Sequence, residues 1–131
     1  MITGAHVLLF SENPELDRAF FHNVLGFPSV DAGGGWLIFA LPPAELALHP
    51  AAGVSERMHA GRPLLDAAFY LMCDDLPAYL KTLEARGVFC TAVSEEPWGT
   101  RTSIRLPSGG EIGLYQPTHA SPLDRGTPGR A

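Results

Sequence analysis

The chain has 131 residues and a mass of 14.0 kDa, the size of one ordinary globular domain with a single core. Its composition, with 46% hydrophobic and 18% charged residues, is typical of a soluble folded protein and excludes a disordered one. The net charge of −5, with only 9 Lys and Arg in all, argues against a nucleic-acid partner, because phosphate contacts need clustered cations.

The sequence predicts neither a membrane span nor an export signal. The longest apolar runs, such as 7–10 and 36–41, fall far short of the roughly 20 residues that a membrane span needs. No positive charge precedes the apolar stretch at the N-terminus, so no secretory signal is indicated, and we expect a cytoplasmic protein. Cys73 and Cys90 lack CxxC spacing and lie in strand-like segments, which predicts reduced core thiols.

The first helix is predicted within ENPELDRAFFHNVLGF, after a first strand at AHVLLF (5–10). Asn13 can cap this helix, Pro14 suits its first position and Gly26 supplies a left-handed stop. The predicted apolar stripe consists of Leu16, Phe20, Val24 and Leu25. Three further strands follow in chain order: FPSVD (27–31), GWLIFAL (35–41) after a glycine turn, and ELALH (45–49) after two prolines.

The second half of the chain repeats the same order of elements. A strand at AAFYLM (67–72) leads to a helix capped by Asp74 or Asp75, with a stripe of Leu76, Leu80 and Leu83 and a stop at Gly87. The strands VFCTAV (88–93), TSIRL (102–106) and EIGLY (111–115) follow. The pattern therefore predicts two βαβββ modules, at 1–50 and 64–117, joined by a linker at 51–63 and followed by a flexible tail at 118–131.

The repeated βαβββ order, the helix containing FFHNVLGF and the PWG turn before the seventh strand resemble the vicinal oxygen chelate superfamily. This superfamily contains glyoxalases, bleomycin-resistance proteins and extradiol dioxygenases. The resemblance implies an α+β fold in which two tandem βαβββ modules with curled mixed sheets form a cleft. It also implies a homodimer, and open sheet edges favour such pairing.

Metal enzymes of this superfamily place ligands on the first and last strand of each module. The matching positions here are His6, Ala47, Ala68 and Gly113, and three of these four carry no donor atom. The resemblance therefore implies that the metal is lost, and neither a metal nor another cofactor is expected. A shift of two residues keeps a side chain on the same face of a strand, so a relocated metal site of His6, Glu45 or His49, and Glu111 stays open as an alternative.

Two functions from different classes follow from the resemblance. The favoured one is non-catalytic: a metal-free cleft that binds, and could sequester, a small organic molecule, as in the bleomycin-resistance branch. Its candidate binding residues are His6, Trp36, Glu45, His49, Tyr70, Met72, Trp98, Glu111 and Tyr115. An acidic cleft would favour a cationic or amine-bearing ligand. The alternative is a metal-dependent lyase, isomerase or dioxygenase, and a domain without any small ligand is a third reading.

Overall fold

The computed structural model describes residues 1, 4–53 and 55–123 of the chain, which divides into two compact units. The first unit contains Met1–Leu41 with Arg105–Glu111, and the second contains Pro42–Ile104 with the chain from Ile112 onward. The elements in chain order are α1 (Pro14–Asn23), β1 (Ser29–Asp31), β2 (Leu37–Phe39), β3 (Glu56–His59), β4 (Arg62–Leu65), β5 (Tyr70–Met72), α2 (Leu76–Ala85), β6 (Ser94–Glu96), β7 (Gly99–Arg105) and β8 (Glu111–Pro117). This is an α+β architecture, as the sequence predicted.

Helix α1 begins and ends where the sequence predicted. The Asn13 side chain accepts a hydrogen bond from Leu16 N at 3.2 Å, and Gly26 adopts a φ of 74° just beyond the helix. The buried face, however, consists of Asp17, Phe20 and Phe21, while Leu16 is half exposed. The prediction is therefore confirmed for Phe20 and wrong for Leu16, because the neighbouring Asp17 lies on the buried side of the helix instead.

Asp17 joins α1 to the turn between β7 and β8 within the first unit. Its carboxylate is buried and accepts hydrogen bonds from Ser108 N (3.0 Å), Ser108 Oγ (2.6 Å) and Ser11 Oγ (2.6 Å). A buried carboxylate needs such donors, because an unsatisfied charge in the interior is costly. Three hydrogen bonds from two serines, one 6 residues before and one 91 residues after Asp17, thus explain the polar residue on the apolar face of α1.

Strands β1 and β2 form a two-stranded antiparallel sheet in the first unit. Phe39 packs on α1 through Phe21, with 5.8 Å between the ring centroids. Val30 and Ile38 are opposite each other in the register and, since side chains alternate along a strand, lie on the other face. That face is exposed.

The second unit contains a four-stranded mixed sheet in the order β5-β8-β7-β6. Strands β5 and β8 are parallel, and β6 and β7 are antiparallel. Helix α2 is capped by Asp75, whose side chain accepts from Ala78 N at 3.1 Å, and it buries Leu76, Leu80 and Leu83. Its cap, its stripe and its stop at Gly87, where φ is 78°, confirm the prediction for this helix.

Three strand predictions differ from the structure. The segments 5–10 and 45–49 form no strand, because the sheet of the first module contains only β1 and β2. The segment 88–93 contributes a single bridge, between Cys90 and Ile104, and the paired strand lies just after it, at Ser94–Glu96. Alternating apolar residues show that a segment is compatible with a strand. A strand forms only where a neighbouring strand pairs with that segment.

The segment predicted as a linker contains a β-hairpin that the sequence did not indicate. Strands β3 and β4 are joined by Ala60 and Gly61, whose φ angles of 51° and 75° suit a tight two-residue turn. The signal was missed because alanine is rare at such a position. In the part of the chain that the structure describes, neither helix has the length and apolarity to cross a bilayer.

Candidate functional site

The site lies on one face of the four-stranded sheet, and strand β8 determines which side chains reach it. Ile112, Leu114 and Gln116 alternate with Gly113 and Tyr115 along β8. The Gln116 side chain accepts a hydrogen bond from Leu76 N at the start of α2, 2.9 Å away. This contact places the face of Gln116 toward the helix and leaves Gly113 and Tyr115 on the opposite face.

Gly113 makes room for the ring of Tyr70. Tyr70 on β5 is the register partner of Gly113, and a Cβ atom added to Gly113 would overlap three carbons of the Tyr70 ring. Carbon atoms do not approach each other so closely without a shift of one of them. Gly113 matches a position at which metal enzymes of the resembled superfamily hold a ligand. In this chain the position carries a small residue because the Tyr70 ring covers it.

Three aromatic rings contact one another edge to face at this point. The ring centroids of Tyr70 and Trp98 are 6.0 Å apart, those of Tyr70 and Tyr115 5.6 Å, and those of Trp98 and Tyr115 5.3 Å. Interplanar angles of 76° to 87° match the edge-to-face geometry that ring quadrupoles favour. We name these three residues the aromatic cluster. Tyr70 is 38% exposed, so the cluster reaches solvent.

The backbone around Trp98 is fixed by Gly99 and by the residues after β8. Gly99 has a φ of 153°, and a Cβ atom there would lie 2.5 Å from the carbonyl oxygen of Gln116. Only glycine permits this approach of the two strands. Thr118 N donates to Trp98 O at 3.1 Å, and Thr118 Oγ1 donates to Pro97 O at 3.2 Å.

Glu45 is the polar partner of the aromatic cluster. Its Oε1 accepts from the Tyr115 hydroxyl at 2.7 Å and its Oε2 from Ser121 Oγ at 2.6 Å. These two hydrogen bonds, with that of Ser121 the stronger cause, lower the pKa of Glu45 below 4.5, and nearby His119 adds to the effect. The carboxylate is therefore ionised at neutral pH, and its side chain is 17% exposed.

Tyr115 and His119 complete the polar edge of the cluster. Burial, followed by the hydrogen bond to Glu45 and the negative charge of Glu45, raises the pKa of Tyr115 to about 12. His119 Nδ1 donates to Ala120 O at 2.9 Å, while Nε2 lies 3.3 Å from the Tyr115 hydroxyl and 3.5 Å from Glu45 Oε1. A protonated His119 would therefore donate toward both oxygens.

The chemistry of this site suits recognition better than proton transfer. A general base or acid works best with a pKa near the working pH. Here the pKa of Glu45 is lowered and that of Tyr115 is raised, so both pKa values move further from neutral pH, in opposite directions. Each oxygen of Glu45 accepts one of the hydrogen bonds described above, and a carboxylate has about four acceptor positions in all. Acceptor capacity thus remains for a ligand.

The nine predicted binding residues have different surroundings. The structure brings Glu45, Tyr70, Trp98 and Tyr115 together, and Met72 is the register partner of Tyr115 on β5. His49 is exposed in the second unit. The remaining three belong to the first unit. There, Trp36 is exposed with the Arg18 guanidinium 4.5 Å above its ring, Glu111 lies 3.9 Å from Arg105, and His6 is exposed.

Sequence reasoning missed Ser121 and His119. Both fall in the segment from 118 onward that was predicted as a flexible tail, yet Ser121 is buried and His119 contacts Tyr115. No local pattern indicates this, because their partner Glu45 lies 76 residues before Ser121. The rest of the predicted tail, 124–131, lies outside the described residues.

The alternative metal site combines residues of both units. Among the described residues, no group of three or more His, Cys, Asp or Glu side chains is arranged to hold a metal ion. The relocated set divides between the two units: His6 and Glu111 belong to the first unit, and Glu45 and His49 belong to the second.

Comparison with known proteins identifies the fold. No family model matches the sequence, and no curated protein sequence matches it either. An antibiotic binding protein, TnmS3 from Streptomyces sp. CB03234, is 25% identical, with a TM-score of 0.57 over 90% of this chain and 100% of that one.

Two further solved structures agree with this result. A member of the glyoxalase/bleomycin resistance protein/dioxygenase superfamily from Sphaerobacter thermophilus DSM 20745 is 26% identical, with a TM-score of 0.59 over 88% of this chain and 98% of that one. A lactoylglutathione lyase from Agrobacterium tumefaciens, 18% identical, shares the fold with a TM-score of 0.59 over 87% of this chain and 92% of that one. The chain therefore has the fold of the glyoxalase/bleomycin resistance/dioxygenase superfamily and is similar to its members, which confirms the resemblance that its sequence indicated.

Proposed function

We propose that this protein binds a small organic molecule without transforming it, at the aromatic cluster and Glu45. The observation that carries the proposal is the combination of three mutually packed aromatic rings with an ionised carboxylate whose pKa is too low for an effective general base. The similarity to an antibiotic binding protein over 90% of the chain supports binding as the function class.

The chemistry of the site favours a cationic ligand with a flat apolar body. Aromatic side chains supply apolar contact area and attract cations through their ring faces. Glu45 supplies a full negative charge beside them and keeps acceptor capacity. A protonated amine on a planar molecule would satisfy both features, with the rings contacting its body and Glu45 accepting from its N–H group.

The proposal is tested by calorimetric titration with the planar cation proflavine and with acridone, a neutral molecule of similar shape. We expect binding of proflavine that is weakened about tenfold or more in Glu45→Gln, because a charge-assisted hydrogen bond contributes roughly 1.5–3 kcal/mol. The affinity for acridone should change much less in this variant. Trp98→Ala should weaken the binding of both ligands, because it removes apolar contact with each of them.

Glu96→Gln is the matched control. Glu96 is a carboxylate of the same sheet, and it forms an ion pair with Arg101 at 3.2 Å. Its neutralisation should leave proflavine affinity unchanged. Equal weakening by the two Glu→Gln variants would mean that only the overall charge matters. The absence of binding for both molecules would contradict the proposed ligand class.

A further inference from the structure

His119 lies directly after β8, at the polar edge of the aromatic cluster. The chain just before it is fixed by Thr118, whose N and Oγ1 donate to Trp98 O at 3.1 Å and to Pro97 O at 3.2 Å. The centroid of the His119 ring is 6.1 Å from that of Tyr115, with an angle of 32° between the ring planes. The imidazole is therefore held beside the groups that the proposed ligand would contact.

The hydrogen bonds of His119 determine which ring nitrogen carries the proton of the neutral form. Nδ1 lies 2.9 Å from Ala120 O, and a carbonyl oxygen only accepts, so Nδ1 carries a hydrogen. In a neutral imidazole the other nitrogen, Nε2, is then an acceptor. Nε2 lies 3.5 Å from Glu45 Oε1, which is also an acceptor. Neutral His119 therefore provides no donor to the carboxylate of Glu45.

Protonation of His119 changes this contact into an ion pair. Both nitrogens of an imidazolium donate, so Nε2–H would donate toward Glu45 Oε1 and a positive charge would lie beside the carboxylate. Histidine is the side chain whose charge ordinarily changes between about pH 5 and 8. The side chain of His119 is 35% exposed, so protons reach it directly from solvent.

The other titratable groups around His119 keep their charge over this pH range. They are Glu45, from the chain between β2 and β3, and Tyr115, from β8. The lowered pKa of Glu45 keeps its carboxylate ionised, and the pKa of about 12 keeps Tyr115 neutral. Among the residues that the structure describes, His119 is the one that can bring a positive charge into contact with Glu45. Its protonation therefore decides whether the carboxylate is paired with a cation.

We propose that protonated His119 competes with a cationic ligand for Glu45, so that the site binds cations at neutral pH and above and releases them in acid. The inference rests on the proposed function, since it requires a cationic ligand at Glu45. A carboxylate that is already paired with an imidazolium attracts a second cation less, and repulsion between the two cations weakens binding further. By linkage, a bound cation in turn favours neutral His119 and releases its proton.

Calorimetric titration with proflavine at about pH 5.5 and at about pH 8, on either side of the usual histidine range, tests the proposal. Proflavine keeps its positive charge at both pH values, so a change in affinity arises in the protein. We expect the dissociation constant to be about fivefold or more larger in acid, which is the lower end of typical coupling between two sites. Between these pH values, titration in buffers of different ionisation enthalpy should show proton release on binding. The affinity for neutral acridone should depend little on pH.

His119→Gln removes the titrating group and should bind proflavine with similar dissociation constants at both pH values, without proton release. The ratio of the two constants is the readout, because a loss of packing would weaken binding at both pH values alike. His22→Gln is the matched control: His22 is an exposed histidine of the first unit, and its variant should keep the full pH dependence. Circular dichroism confirms that each variant is folded.

A measurement without ligand tests the contact itself. His119→Gln should raise the pKa of Glu45, followed by NMR of its carboxyl carbon, because the nearby positive charge of His119 contributes to lowering it. An unchanged pKa of Glu45, proflavine affinity that is independent of pH, or a pH dependence that persists in His119→Gln would each overturn the inference and leave the proposed function standing. The absence of proflavine binding at both pH values would overturn the two together.

Discussion

Replacement of Gly113 by alanine tests the arrangement of the aromatic cluster most directly. The added Cβ would overlap the ring of Tyr70, so the ring must move away. Tyr70 would then lose its edge-to-face contacts with Trp98 and Tyr115. Such pairs contribute about 0.5–1.5 kcal/mol each, and the loss of two predicts a destabilisation of about 1–3 kcal/mol. Alanine offsets a part of this by reducing the entropy of the unfolded chain.

The assay is urea denaturation followed by circular dichroism, with near-ultraviolet dichroism as a readout of the three rings. Gly110→Ala is the control, because its Cβ would meet only Ser108 Oγ at 3.8 Å and the residue has no positive φ. It should be neutral or slightly stabilising.

A double-mutant cycle identifies the cause of the effect. If Tyr70 is the obstacle, Gly113→Ala should cost nothing further in a Tyr70→Ala background. The reasoning would be refuted if Gly113→Ala unfolded like the wild type, or if its cost were the same with and without the Tyr70 ring.

Asp17→Ala should lower the free energy of unfolding, measured by urea denaturation, by roughly 2–3 kcal/mol, because three donors lose a charged acceptor. Glu15 is exposed, so the control Glu15→Ala should change the free energy of unfolding little. The pKa of Tyr115 is about 12 in the folded chain and 10.0 in the unfolded one, so its contribution to stability is complete below pH 10 and is lost as the pH rises toward 12. Tyr115→Phe should lack this loss, and an identical alkaline profile of both proteins would count against the raised pKa of Tyr115. Burial raises the pKa of Cys73 to about 11, so iodoacetamide near pH 8 should alkylate it about 100-fold more slowly than a free cysteine; comparable rates would show that its thiol is exposed.

Helix α2 could be predicted from the sequence because its signals are local. Asp75, the leucine stripe of α2 and Gly87 are separated by a few residues each, and capping and helical periodicity act over the same range. Glu45, Tyr70, Trp98 and Tyr115 were also among the predicted binding residues, and the structure brings these four side chains together. That they bind a ligand stays a prediction.

The missed features depend on contacts between distant residues. Ser121 and Ser108 acquire their roles from Glu45 and Asp17, and no periodic pattern links the members of either pair. Gly113 also depends on a distant residue. The sequence shows a small residue at this position, but the Tyr70 ring that requires one lies against it only when β5 and β8 pair. Sequence patterns indicate which elements form, and tertiary contacts decide which of their side chains become partners.

The hydrogen bonds of Asp17 also constrain the order in which the protein can mature on the ribosome. Ser108, which supplies two of its three donors, lies 91 residues later in the chain. While the nascent chain ends before Ser108, α1 presents a carboxylate on its apolar face with that partner still untranslated. Contacts of such long sequence separation form late in folding. The N-terminal unit therefore reaches its final packing only after most of the chain has been synthesised, and a truncation before Arg105 should leave it unfinished.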